Sequence, residues 1–169
     1  LATVLAAVVV MLGAYTRLGD GGLGCPDWPG CFGHITVPQS KAALQDVRVH
    51  YGHVQVEPAK AWKEMVHRYV AGSLGLLIIG LAVVAFAKGS AMRHSQRVLA
   101  VLLCLALVMQ ALLGMWTVTW LLLPLVVMGH LLGGMTIAAL LWTLGLVSAR
   151  PQGLVDVSAT PVLRGVVLL

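Results

Sequence analysis

The sequence predicts an all-α integral membrane protein, an up-down bundle of four transmembrane helices. Composition is the first reason. Of 169 residues, 59% are hydrophobic and 10% charged, whereas charged residues make up about a quarter of an ordinary soluble domain. The mean hydropathy of +0.93 agrees. Arrangement is the second. Apolar residues fall into runs over about 1–18, 60–87, 98–118 and 122–148, close to the roughly 20 residues that a crossing helix needs. Charge placement is the third. The short segment 88–97 holds Lys88, Arg93 and Arg97 and no acid, which marks the cytoplasmic side by the positive-inside rule. The net charge of +5 therefore sets topology. No basic stretch interleaved with aromatics is present, so nucleic acid is not an expected partner.

The first run, LATVLAAVVVMLGAYTRL, is uncharged until Arg17. It is just short for a crossing, and residues upstream of Leu1 would complete it; no cleavable signal peptide is recognisable. Arg17 lies at the far end, where a guanidinium reaches headgroups or a bound anion. Glycines and prolines in GDGGLGCPDWPGCFG then end the helix and begin a loop over 19–59. That loop lies opposite the basic segment and is expected to be extracytoplasmic. Cys25 and Cys31 within it point to a disulfide if the compartment is oxidising. A reversible dithiol is the other reading the spacing allows. Zinc is disfavoured, because no second thiolate pair accompanies His34, His50 and His53. Residues 39–49 could form a short surface helix, and Pro58 is suited to the first turn of the next one.

The second run opens on Trp62, Lys63, Glu64, His67 and Arg68. Charges this close to hydrocarbon cost several kcal/mol unless paired, ligated or able to snorkel. Glu64, His67 and Arg68 share a helical face at spacings of three and four. An ion pair between Glu64 and Arg68 is the plainer reading of that spacing. The third run carries a lone Gln110, which an interhelical hydrogen bond or a ligand contact would satisfy. Trp116 and Trp120 mark its interface end. A tight turn and Pro124 lead into the fourth run, which Arg150 closes. Residues 151–169 read as a linker and the start of a fifth span, so the chain is expected to be part of a longer protein.

His67 and His130 lie at similar depth in the second and fourth runs, which both lead inward from the loop side. Two imidazoles facing one another at equal depth can ligate a haem iron from both faces. Gly72, Gly75, Gly129, Gly133 and Gly134 would leave room for the macrocycle, and Arg17 and Arg68 lie where propionates would project. The alternatives are histidines that only hydrogen-bond neighbouring helices, or a copper or zinc site, for which two histidines without sulfur are a poor set.

Four blocks carry a family resemblance: Thr16-Arg17-Leu18 with Gly24-Cys25-Pro26-Asp27-Trp28-Pro29-Gly30-Cys31-Phe32-Gly33; Glu64-Met65-Val66-His67-Arg68-Tyr69-Val70-Ala71-Gly72; Gln110-Ala111-Leu112-Leu113-Gly114; and His130-Leu131-Leu132-Gly133-Gly134. In order and together, they resemble the first half of the haem A synthase family. The resemblance implies an eight-span, pseudo-symmetric protein of which this chain is the N-terminal four-span half. It implies oxidation of the haem O methyl group to the formyl group of haem A, for use by cytochrome oxidase. By position, His67 and His130 would be axial ligands of the haem, haem O or a b-type haem. Glu64 would be the acid needed for methyl oxidation, and Cys25 and Cys31 the loop cysteine pair. Gly19-Asp20-Gly21-Gly22-Leu23-Gly24 stands where the family has a hydroxyl-bearing turn. Expected partners are haem O, membrane lipids, the farnesyltransferase enzyme that makes haem O, cytochrome oxidase assembly factors, and a missing second half or a second copy. The expected location is the inner (plasma) membrane. A b-type haem electron-transfer module is the alternative, one that needs neither Glu64 nor the cysteine loop.

Overall fold

The computed structural model describes residues 1–52, 54–87 and 92–149. His53, Lys88, Arg150 and the linker with its fifth-span start at 151–169 lie outside the described residues. The described chain is helical: α1 (Ala2–Leu18), α2 (Lys41–Tyr51), α3 (Pro58–Phe86), α4 (His94–Thr119) and α5 (Pro124–Ala149). An isolated bridge between Cys31 and His34 is the one piece of β pairing among the described residues.

Three helices, α3, α4 and α5, are long and apolar enough to cross a membrane, and α1 is a shorter apolar helix of 17 residues. Their outward faces leave Leu76, Val83, Leu105, Val108 and Leu125 exposed, an exterior suited to lipid rather than water. The 29 residues of α3 span about 44 Å at 1.5 Å each. That exceeds a hydrocarbon core of about 30 Å, so its polar first turns can stand at the membrane edge.

The ends follow from local chemistry. Asp20 takes a left-handed φ of 53° just past α1, a conformation that Asp tolerates better than most residues. Gly21 N–H then donates to Thr16 O at 2.8 Å. Ser40 caps α2, its hydroxyl accepting from Ala43 N–H at 3.1 Å. Pro58 opens α3. The α4–α5 turn places Leu121 and Leu122 both at positive φ, 48° and 59°. The turn is held by Leu122 N–H donating to Thr117 O at 2.8 Å.

The long helices form a closed ring in the order α1, α3, α4, α5 and back to α1, so α3 and α5 stand on one diagonal and α1 and α4 on the other. Two apolar cores fill the molecule. Ala6, Leu74, Ile78, Leu103, Ile137, Leu141 and Leu144 unite all four helices at the end away from the loop. Cys25, Cys31, Phe32, Val37, Val47, Ala61 and Met65 form the second core, joining the loop, α2 and the start of α3. Val47 supplies the buried contact of α2, while Val49 is 73% exposed. On α3, His67 falls between Met65 of one core and Leu74 of the other.

Candidate functional site: a facing imidazole pair beneath a strapped loop

Cys25 and Cys31 are joined by a disulfide, and both sulfurs' residues are fully buried. Within their loop, the Asp27 carboxylate accepts from Phe32 N–H at 2.6 Å and from Gly33 N–H at 2.7 Å. Both residues take positive φ, so the carboxylate satisfies two amides that the turn would otherwise strand. The loop is drawn close onto α3. A Cβ at Gly24 would lie 2.6 Å from Ala61 N, so only glycine permits this approach.

Glu64 and Arg68 fasten it there. Glu64 is 5% exposed. One of its oxygens accepts from Cys25 N–H at 3.1 Å, and the other pairs with Arg68. The same guanidinium donates to Asp27 O at 2.9 Å, to Pro29 O at 3.2 Å and to Gly30 O. One planar fork thus holds a carboxylate and a set of carbonyls, a geometry that Arg offers and Lys does not. Tyr69 adds a further tie, its hydroxyl donating to Ile35 O at 2.6 Å. His34 and His50 lie 3.4 and 3.1 Å from the two Asp46 oxygens. Tyr51 sits edge-on to Phe32 at 5.4 Å. Its phenol is pushed to a higher pKa by burial and then by Asp27.

One turn deeper, His67 and His130 meet. Their ring centroids are 6.4 Å apart and their planes lie at 82°. They come from α3 and α5, the diagonal pair, so the rings face across the bundle interior. Nδ1 of each ring is buried and has no hydrogen-bond partner. A buried polar atom left so is costly and suits a site that awaits a ligand.

The donor set narrows what that ligand would be. Among the described residues, no cluster of three or more His, Cys, Asp or Glu could hold a bare metal ion. Two imidazoles suit a metal that brings its remaining ligands with it, as a porphyrin iron does. With metal–imidazole bonds of about 2 Å, one metal centre fits between rings whose centroids are 6.4 Å apart. These residues fit a haem.

The sequence-derived site residues thus divide into groups. His67 and His130 form the ring pair. Glu64, Arg68, Cys25 and Cys31 form the strap. Arg17 is exposed on the last turn of α1 and enters neither set of contacts. Arg68, expected to face propionates, turns its Nη1 donors to loop carbonyls and an Nη2 donor to Glu64. Gln110 donates to His130 O at 2.7 Å across α4 and α5, which is the interhelical bond.

The glycines flanking the histidines in sequence play other parts than expected. Gly72 faces open space, Gly75 meets Leu107, and Gly133 and Gly134 accommodate Gln110. The rings rest instead on Gly13 and Gly114, which the sequence did not single out for this. Matched depth of Gly13 and His67 on antiparallel runs is the signal that could have found one of them.

Fold and site together define a membrane-type helical bundle with a paired-imidazole centre below a disulfide-strapped loop. The chain belongs to the cytochrome oxidase assembly protein family, whose model matches residues 1–169. It is 45% identical over 152 residues to a protein of Shewanella oneidensis named Heme A synthase, covering 90% of this chain and 44% of that one. It is 33% identical over 108 residues to a Heme A synthase of Halalkalibacterium halodurans, covering 63% and 30%. The chain spans less than half the length of these curated relatives. No solved structure matches it.

Proposed function

We propose that this chain is the haem O-binding, N-terminal half of a haem A synthase, an oxidoreductase that converts the methyl group of haem O to the formyl group of haem A. The observation that carries the reading is the close pair His67 and His130, each with a buried, unpartnered Nδ1, and with no cluster of three or more metal-ligating side chains among the described residues. The relatives' names supply the reaction.

In this reading the two imidazoles would hold the iron of the substrate haem. Bound there, the porphyrin would present the methyl group to be oxidised; its conversion to formyl removes four electrons, which an electron acceptor beyond these residues would take. The protein supplies position and a water-poor setting. Glu64, three residues before His67, is the proton acceptor at the oxidised carbon, and the strap fixes its carboxylate at the mouth of the site. Arg17, exposed at the loop end of α1, is the cation for the propionates. A like role for Arg68 requires it to let go of the loop. The Cys25–Cys31 bridge is a structural staple, because both residues are fully buried. The loop side faces away from the cytoplasm and the bundle sits in the plasma membrane. The second half of the protein or a second copy completes it, and the farnesyltransferase that makes haem O and oxidase assembly factors act before and after it.

A second reading has one observation in its favour. Both Glu64 oxygens are engaged by the strap, which suits a b-type haem electron-transfer module that needs no acid. Expression with a haem O source, followed by extraction and chromatography of the bound haem, separates the two. Haem A in the extract supports the synthase. Unaltered haem in a folded, haem-loaded protein sinks it in favour of the second reading, and a preparation that takes up no haem sinks both.

A further inference from the structure

The two imidazoles are seated in the same way on opposite sides of the bundle. A Cβ built on Gly13 of α1 would lie 3.0 Å from His67 Cε1, and 3.5 and 3.6 Å from its Nδ1 and Nε2. A Cβ built on Gly114 of α4 would lie 3.1 Å from His130 Cε1, and 3.8 Å from each of its nitrogens. Each ring therefore turns its Cε1 edge to a bare backbone and holds its nitrogens to either side. The histidines stand on one diagonal of the four-helix ring, and the glycines on the other.

We infer that Gly13 and Gly114 are paired positioning residues: each is the backbone seat of one imidazole, and together they set the separation and tilt of the rings. This role rests on the reading of His67 and His130 as haem ligands. It does not need either glycine for its conformation, since both are ordinary helical positions. It needs only the absence of a side chain. α3 and α5 meet only through side chains, in the distal core and at the ring pair, so no close backbone contact between them fixes the gap between the rings. α1 and α4 lie between them on both sides and fix it through these two contacts. A methyl group at either position crowds the ring edge, so the ring must give way by a few tenths of an ångström and lose its seat. Ligand orientation of this kind changes metal affinity by about tenfold to a hundredfold when it is lost.

The other glycines serve as controls. Gly80 and Gly145 face open space, with nothing within 4 Å of an added Cβ.

The test loads the detergent-solubilised chain with iron protoporphyrin and reads the absorbance and electron paramagnetic resonance of low-spin, six-coordinate iron. The unaltered chain should give this signature, and His67→Ala and His130→Ala should lose it. If the unaltered chain lacks it, the ligation reading itself fails. Given the signature, Gly13→Ala and Gly114→Ala should each bind about tenfold more weakly and shift iron from low to high spin. Gly80→Ala and Gly145→Ala should leave both readouts unchanged. Seat variants that keep unaltered affinity and spin state overturn the inference while leaving the ligation reading intact. If Gly13→Ala does not accumulate, Gly13→Ala with His67→Ala decides the matter. Removing the ring makes room for the methyl group, so accumulation should return to that of His67→Ala alone, and failure to recover overturns the inference.

Discussion

Cys25 N–H donates to the Glu64 carboxylate across 39 positions of sequence, at 3.1 Å. That bond ties the disulfide loop to the helix bearing His67, and the acid carrying it is also the one proposed for methyl oxidation. Glu64→Gln separates the two roles. The amide oxygen can still accept from Cys25, while Arg68 loses its charged partner, at a cost of about 1–3 kcal/mol. The folded variant should retain haem O and form no haem A, read by extraction and chromatography. Normal haem A formation would reduce Glu64 to a loop anchor.

Arg68→Lys should loosen the strap while keeping the charge. An ammonium cannot reach the carbonyls of Asp27, Pro29 and Gly30 together with Glu64, as the guanidinium does. We expect a loss of about 1–3 kcal/mol and faster hydrogen exchange at the Cys25 amide. Exchange as slow as in the unaltered chain would show that the fork is not what holds the loop.

The disulfide closes a short loop, so the chain-entropy argument assigns it about 2 kcal/mol. Cys25→Ala with Cys31→Ala should lower the thermal midpoint accordingly. Both cysteines are fully buried, so a soluble dithiol should reduce the bridge far more slowly in the folded protein than in denaturant. Rapid reduction without unfolding would favour a redox role over a staple.

Gln110→Leu removes the donor to His130 O and should cost about 1 kcal/mol, the scale of hydrogen bonds within membrane bundles. Gln110→Glu should cost more. It sets a carboxylate against the same carbonyl and against Gly133, where the side chain already sits close. Thermal midpoints with Glu below Leu would support this, and the reverse order would argue against it.

Asp20 carries a modest acid-side dependence. Its carboxyl is held below the ordinary 3.8, first by the hydrogen bond from Lys60 and then by that ammonium's charge. A folded-state pKa depressed in this way stabilises the fold above the unfolded value, and the gain is lost as pH falls through the folded one. Asp20→Asn should therefore flatten the stability profile below about pH 4 and make the acid limb less sensitive to added salt. An unchanged profile would mean that the 3.0 Å Lys60 contact is worth nothing in solution.

The bundle was legible because hydropathy reports bilayer crossing directly. The expected start at 98 fell short of His94, where α4 begins, because the first turn is polar and hydropathy does not see it. The closeness of His67 and His130 was legible from their depth in parallel runs. The strap was not. Asp27 captures amides and Arg68 captures carbonyls, and recognition of backbone leaves no pattern in side chains. Nothing in the sequence around Arg68 shows that its guanidinium is held by loop carbonyls and Glu64. The glycine seats were not legible because Gly13 and Gly114 lie on α1 and α4, far in sequence from the histidines they support.

Arg68 grips the loop by the backbone carbonyls of Asp27, Pro29 and Gly30. Trp28, between them, is 40% exposed. The anchor is therefore indifferent to the residue at the tip. A saturation library at position 28 should yield folded, strapped chains with most substitutions, so this apex can vary with whatever docks against it while the helix beneath stays fixed.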